Sequence, residues 1–369
     1  MENLKCAMKS ALAGLAALAV AMGIGRFAFT PLLPMMQADA GLTLSQGAWL
    51  AAANYLGYLL GALSARRIGS VRLGLLLIAV TTLAMGVQQP VPAWGLWRLL
   101  SGIASAWVLV HVSIRCLERF AGTVYAGVGI GIVAAGLLCL AFMSQALPSA
   151  QAWLLLGLVA LGLTLVVWPS FESKKMAPGA TPSWRFAALI ACYGAFGFGY
   201  IIPATFIPAM ARSILDDPAS FGWAWPAFGA AAAVSTFATS PLLKRFGARR
   251  LWAAAQAVMA FGVVAPVFIR GLGGILLAAA CVGGTFMVIT MAGLREAARV
   301  ATPAAGLMAA MTAAFAAGQI AGPLAVSMIL AAGGSMNVAL LAAGLVLATS
   351  ACALLPRRES HDDGTPARA

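Results

Sequence analysis

Acidic side chains are scarce in this chain: 10 Asp and Glu stand against 23 Lys and Arg in 369 residues, with two histidines. The acids are Glu2, Asp39, Glu118, Glu172, Asp216, Asp217, Glu296, Glu359, Asp362 and Asp363, and none falls inside a predicted span. Paired-carboxylate acid–base chemistry at the centre of the chain is thereby excluded. The six cysteines are isolated, with no CxxC pair and no Cys/His ligand spacing. Neither a disulfide framework nor a metal site is expected, and no cofactor. Charged residues make up only 9% of the chain, against about 25% in soluble domains. Alternating segments of roughly ten residues, the mark of a membrane barrel, are also missing.

What is present is apolar: 62% of residues are hydrophobic and the mean hydropathy is +0.95. The apolar runs are about 20 residues long, the length that spans a bilayer as a helix. The chain reads as an all-α integral membrane protein with 12 transmembrane helices. They are expected at 10–36, 48–64, a third ending at 87, 93–112, 124–145, 152–168, 185–210, 222–243, 251–269, 274–294, 304–330 and 338–355. Lys5, Lys9 and Ala19-Val20-Ala21 resemble a cleaved signal. The apolar pattern nevertheless runs on through Leu33, so the segment reads as a retained first span.

Once the spans are placed, Arg212 and Arg270 fall in external turns, Arg26 and Arg98 inside spans, and the other Lys and Arg on the opposite side. That asymmetry puts both termini in the cytoplasm. The net charge of +13 therefore reports topology and not a nucleic-acid partner. The one sizeable polar interruption divides the chain into halves 1–168 and 184–355, joined by a cytoplasmic linker 169–183. A polar tail, 356–369, is expected to be disordered. Gly23, Gly25, Pro34 and Met36 align without gaps on Gly197, Gly199, Pro208 and Met210. Arg67-Ile68-Gly69 matches Arg245-Phe246-Gly247, and Arg115 matches Arg295, at nearly constant offsets. The pattern suggests one six-helix unit duplicated into two pseudo-symmetric bundles.

The chain is organised around Gly23-Ile24-Gly25-Arg26-Phe27-Ala28-Phe29-Thr30-Pro31-Leu32-Leu33-Pro34. A charge at the centre of a membrane helix costs about 2.5–3.5 kcal/mol on insertion scales, so it usually faces an interior or a cavity. Pro31 removes a helix hydrogen bond and predicts a bend. Arg26 and Arg98 have no carboxylate at membrane depth, and an anionic substrate group would suit a guanidinium fork. Polar stripes support them: Arg26 with Thr30, Asn54 with Tyr58, Arg98 with Ser101 and Ser105, Tyr193 with Phe196 and Tyr200, Thr312 with Phe315 and Gln319. The expected binding set is therefore Arg26, Thr30, Asn54, Tyr58, Arg98, Ser101, Ser105, Tyr193, Tyr200, Thr312 and Gln319. The bland reading of each is an interhelical hydrogen bond, or snorkelling for Arg26 and Arg98. Asp39 and His111 are the candidate coupling residues. Trp223, Trp225 and Trp252, near span ends, read as interfacial belts.

Two six-helix halves with a cytoplasmic linker resemble the major facilitator superfamily (MFS) of secondary transporters. Leu242-Leu243-Lys244-Arg245-Phe246-Gly247-Ala248-Arg249-Arg250 is similar to its cytoplasmic loop motif, with Lys244 where an aspartate is usual. The resemblance implies gating roles for Arg67, Lys244, Arg245 and Gly247. Arg98-x-x-x-Gly102 resembles the arginine motif of the fourth helix. Gly318-x-x-x-Gly322-Pro323 is like the antiporter motif, but stands in span 11 and not span 5. The Gly25–Pro34 string and Gly318-Gln319-Ile320-Ala321-Gly322-Pro323 resemble the bacterial YbfB/YjiJ-type branch. The resemblance implies an inner-membrane carrier working by alternating access, with spans 1, 4, 7 and 10 lining the cavity. A small organic anion is the expected substrate, with a proton or other ion as coupling partner and a monomer favoured. The alternatives are an exporter of amphipathic compounds, a channel, and a membrane-embedded enzyme.

Overall fold

Residues 2–116, 120–171, 183–212 and 224–355 are described by a computed structural model. The tail at 356–369, most of the expected linker (172–182) and Trp223 lie outside them. Among the described residues every regular element is helical. A continuous first rod comprises α1 (Glu2–Leu18), a π-helical segment (Ala19–Phe27) and α2 (Phe29–Asp39). There follow α3 (Leu44–Ser64), α4 (Val71–Met85), α5 (Val91–Cys116), α6 (Ala121–Ser144) and α7 (Ser149–Val167). After the break come α8 (Ala187–Arg212), α9 (Ala224–Phe246), α10 (Ala248–Phe268), α11 (Leu272–Val300), α12 (Ala305–Ala331) and α13 (Met336–Leu354).

Local chemistry sets these boundaries. Thr43 and Gln46 form a reciprocal capping box at the start of α3, and the Ser70 hydroxyl accepts from Leu73 N at the start of α4. Among the described residues ten helices are long and apolar enough to cross a membrane. The first rod is one of them, and α3 and α4 are the two outside the set. The 15-residue α4 is short, about 22 Å at the helical rise. The 21-residue α3 is long enough but carries Asn54, Tyr55 and Tyr58.

Three expectations change. The basic stretch Arg295–Arg299, read as a turn, is the last part of α11, because its residues are helix formers and no breaker comes before Pro303. Glu296 is thereby only 1% exposed, bonded by the guanidinium of Arg299 at 2.8 Å one turn on. Trp252 is fully buried and not interfacial, since its indole NH donates to Gln256 Oε1 at 2.7 Å. Gln256 Nε2 in turn donates to Ser350 Oγ at 2.6 Å, so the indole nitrogen is drawn into a network joining α10 and α13. Such a partner makes burial of the polar indole end acceptable.

Before the break, α3 packs on α5, α4 on α5 and α7, and the first rod on α6. After it, α8 packs on α12 and α13, and α10 on α11 and α13. The two sets meet chiefly through α6 against α9 and α3 against α12. One device occurs twice. Arg72, in the first turn of α4, donates to Trp168 O at the end of α7 at 3.0 Å, and Arg249, in the first turn of α10, to Leu354 O at the end of α13 at 2.7 Å. Gly69 and Gly247 match in sequence for different reasons. A Cβ on Gly69 would lie 2.7 Å from the Trp107 ring, whereas Gly247 has φ +76 and open space around it.

Asp39 ends α2, and its carboxylate accepts from both the backbone N and the hydroxyl of Ser149, the first residue of α7. It thus caps a neighbouring helix. Asp39→Ala is expected to cost about 1 kcal/mol, as for a lost N-cap, read as a small fall in melting temperature with transport retained. Lost transport at unchanged melting would return Asp39 to a coupling role.

Candidate functional site

The π-helical segment shapes the centre of the molecule. The segment ends at Phe27, and Pro31 in the turn that follows has no hydrogen to donate back to it. Carbonyls on this stretch are therefore open to outside donors, and α5 supplies them. Arg98 Nη1 donates to Gly25 O at 3.1 Å and Nη2 to Arg26 O at 3.2 Å. Ser101 Oγ donates to Gly25 O at 2.9 Å, and Ser105 Oγ to Ala21 O at 2.8 Å. Gly25 permits the approach, because a Cβ there would lie 2.8 Å from Ser105 Oγ.

Arg98, Ser101 and Ser105 do share one face, as their spacing requires, but that face docks on the first rod. Arg98 is 3% exposed, with its guanidinium 4.7 Å from the Phe29 ring centre, so it does not snorkel. Asn54 Nδ2 donates to Arg98 O at 2.9 Å, which makes it a second brace on the same strut. These four residues hold backbone through the bonds above, while Arg98 Nε and Asn54 Oδ1 have no partner among the described residues.

Arg26 differs. It is 4% exposed and donates through Nη2 to Gln319 Oε1 on α12 at 2.7 Å. Its guanidinium carbon lies 3.9 Å from the centre of the Tyr58 ring, a cation–π contact across the face. Nε and Nη1 of Arg26 and Nε2 of Gln319 have no hydrogen-bond partner among the described residues. Neither Arg26 nor Arg98 has a carboxylate partner there. A buried guanidinium with open donors and no counter-charge is held at a cost that an anion would relieve.

Beside Arg26 is an enclosed cavity of about 20 Å³, bordered by Tyr58, Tyr193, Thr312 and Phe315 among others. That is room for about one water. Thr312 donates to Met308 O at 2.8 Å, leaving only its acceptor side for a ligand. Tyr193 packs at 5.8 Å on Phe315, and Tyr58 meets Phe315 edge-on at 6.5 Å across the α3–α12 seam. Tyr200 stacks on Phe286 at 5.4 Å, behind the lining. Thr30 is half-buried and does not border the cavity.

Met22, Leu109, Phe286, Met287 and Thr290 also line the cavity and were not singled out from the sequence. Phe286 and Thr290 lie one turn apart on α11, a stripe the same reasoning could have found. The coupling and gating candidates sit elsewhere. His111 Nε2 is 2.9 Å from Ala65 O and ties α5 to the end of α3. Arg67, Lys244, Arg245 and Gly247 are exposed at helix ends.

A buried cation held between packed helices and facing a small enclosed space is the arrangement of a solute site within a helical membrane protein. A comparison with curated proteins found no match. The family described as "Uncharacterised MFS-type transporter YbfB" matches residues 18–355. The chain accordingly belongs to this family of MFS-type transporters: a multi-pass membrane protein that carries a small molecule and is not an enzyme.

Proposed function

We propose that the protein is a secondary active transporter that moves a small organic anion across the bacterial inner membrane, with Arg26 as the anion's ligand. One observation carries this reading: Arg26 is buried, and two of its nitrogens lack an acceptor among the described residues. A carboxylate would take those hydrogens in charge-assisted bonds and supply the missing counter-charge. Alternating access would come from rocking of halves 1–168 and 184–355, both termini being cytoplasmic. The repeated Arg72 and Arg249 caps support treating the halves as equivalent bodies. Arg26–Gln319 and Tyr58–Phe315 cross between the halves beside the cavity, so they are contacts that opening breaks. The aromatic walls favour, as a second reading, an exporter of amphipathic cations. Arg26 occupying the Tyr58 face opposes it.

The test is a thermal-shift comparison of wild type with Arg26→Ala against carboxylates, phosphorylated metabolites and lipophilic cations. A ligand at 100 times its Kd stabilises the folded state by about 2.7 kcal/mol. Carboxylates are expected to raise the melting temperature of wild type by several degrees and leave Arg26→Ala unmoved. Stabilisation by cations alone, or equally in both proteins, overturns the anion reading.

A further inference from the structure

We infer that the transported anion is a monocarboxylate carrying a planar aromatic body. This rests on the anion reading above and narrows it.

The charge count comes first. Both Nη atoms of Arg98 are bonded to carbonyls of the first rod, so Arg98 cannot turn to a ligand without releasing that rod. Among the described residues Arg26 is the single cation bordering the cavity. A second carboxylate, or a doubly charged phosphate, would be buried without a partner at several kcal/mol. One guanidinium matches one carboxylate.

The remaining surface sets the body. Phe27, Tyr58, Tyr193, Phe286 and Phe315 present rings around the cavity. Of the four lining hydroxyls, Thr312 donates to Met308 O and Thr290 to Phe286 O at 2.9 Å, each within its own helix, and Tyr58 Oη has no partner among the described residues. Both threonine protons are taken, so the several hydroxyl groups of a sugar acid would meet mainly ring surface, with the Tyr58 hydroxyl as an open polar group. An aromatic ring would instead meet ring edges and faces already disposed at stacking distances.

The geometry also shows how such a ligand replaces what it displaces. The cavity is too small for a ring as it stands, so α3 and α12 must separate before entry. Their separation removes Gln319 Oε1 from Arg26 and Phe315 from Tyr58. A carboxylate takes the first place and an aromatic ring the second. The ligand is thereby chemically equivalent to the cross-half contacts it exchanges for, and the amide Nε2 of Gln319 becomes a further donor to it.

The experiment is binding of radiolabelled benzoate to the purified full chain in detergent, with unlabelled competitors. Cinnamate and phenylacetate are expected to compete within about tenfold of benzoate, and acetate, succinate and gluconate at least tenfold more weakly. Benzyl alcohol and benzylamine should not compete. Arg26→Lys keeps the charge but loses the fork, and is expected to weaken binding by tenfold or more. Phe315→Leu, which keeps bulk without the ring, should narrow the gap between benzoate and acetate. Both variants are to be monodisperse before they are compared. Tighter binding of succinate or phosphate than of benzoate overturns the aromatic class while leaving an anion site at Arg26. Binding of lipophilic cations in place of any anion sinks both readings. Benzoate bound equally by wild type and Arg26→Lys, or no benzoate bound at all, also overturns the proposal.

Discussion

Arg98→Ala is expected to destabilise the protein by about 1–3 kcal/mol, because two buried carbonyls lose its donors and Ser101 still serves one of them. Those carbonyls, of Gly25 and Arg26, lie on the π-helical stretch and Arg98 bonds both. Arg98→Lys should recover part of the loss, since an ammonium can satisfy one carbonyl but cannot fork across two. Melting of the detergent-purified variants checks the order: wild type, then lysine, then alanine. If Arg98→Ala melts with wild type and instead loses ligand response, Arg98 is a ligand and the strut description is wrong. The same variant tests the link to function, because a loosened first rod would move Arg26 relative to Gln319. Weaker ligand binding in Arg98→Ala should therefore accompany the lower melting point and not replace it.

Gly57→Val should be among the most damaging single changes on a helix seam. A Cβ at Gly57 would sit 2.0 Å from Leu99 O on α5, and on the facing side one at Gly102 would sit 2.2 Å from Asn54 O. The obstacles are backbone atoms, so no rotamer change can relieve the clash and the helices must part. Overpacking costs about 1–3 kcal/mol where side chains can adjust; here the expected cost lies at or above the top of that range. Parting α3 from α5 also pulls Asn54 from the Arg98 carbonyl, so the two losses are coupled and will not add independently. Gly162→Ala is the control. Nothing lies within 4 Å of its Cβ position, and replacing a helical glycine by alanine favours the helix by about 1 kcal/mol. Monodisperse yield after heating separates the two. Gly57→Val should be lost at temperatures where Gly162→Ala survives, and equal survival would mean that α3 and α5 are not packed backbone to backbone.

Much of the helix plan was legible because a bilayer core demands about 20 apolar residues per helix, and that demand is written locally. The observed helices fall within a few residues of the expected spans over most of the chain. The exception at Arg295–Arg299 arose because basic residues mark a membrane boundary without ending a helix. Side-chain roles were less legible. Helical spacing says which residues share a face, and Arg98, Ser101 and Ser105 do, but it does not say what the face meets. Trp252 likewise stands near a span end, where aromatic belts are usual, and it is drawn inside by Gln256, one turn on, which Ser350 from distant sequence holds in place.

The sequence by itself determined that this chain is a helical membrane protein and that Arg26 and Arg98 lie within long apolar stretches. Tertiary structure alone decided that the two arginines have opposite fates. Arg98 finds carbonyls opened by the π-helical register and Pro31, and becomes part of the frame. Arg26, one helix away, finds only an amide from α12 and an aromatic face, and keeps hydrogens to offer. The physical reason is that a buried guanidinium is defined by its acceptors, and acceptors come from residues far apart in the chain.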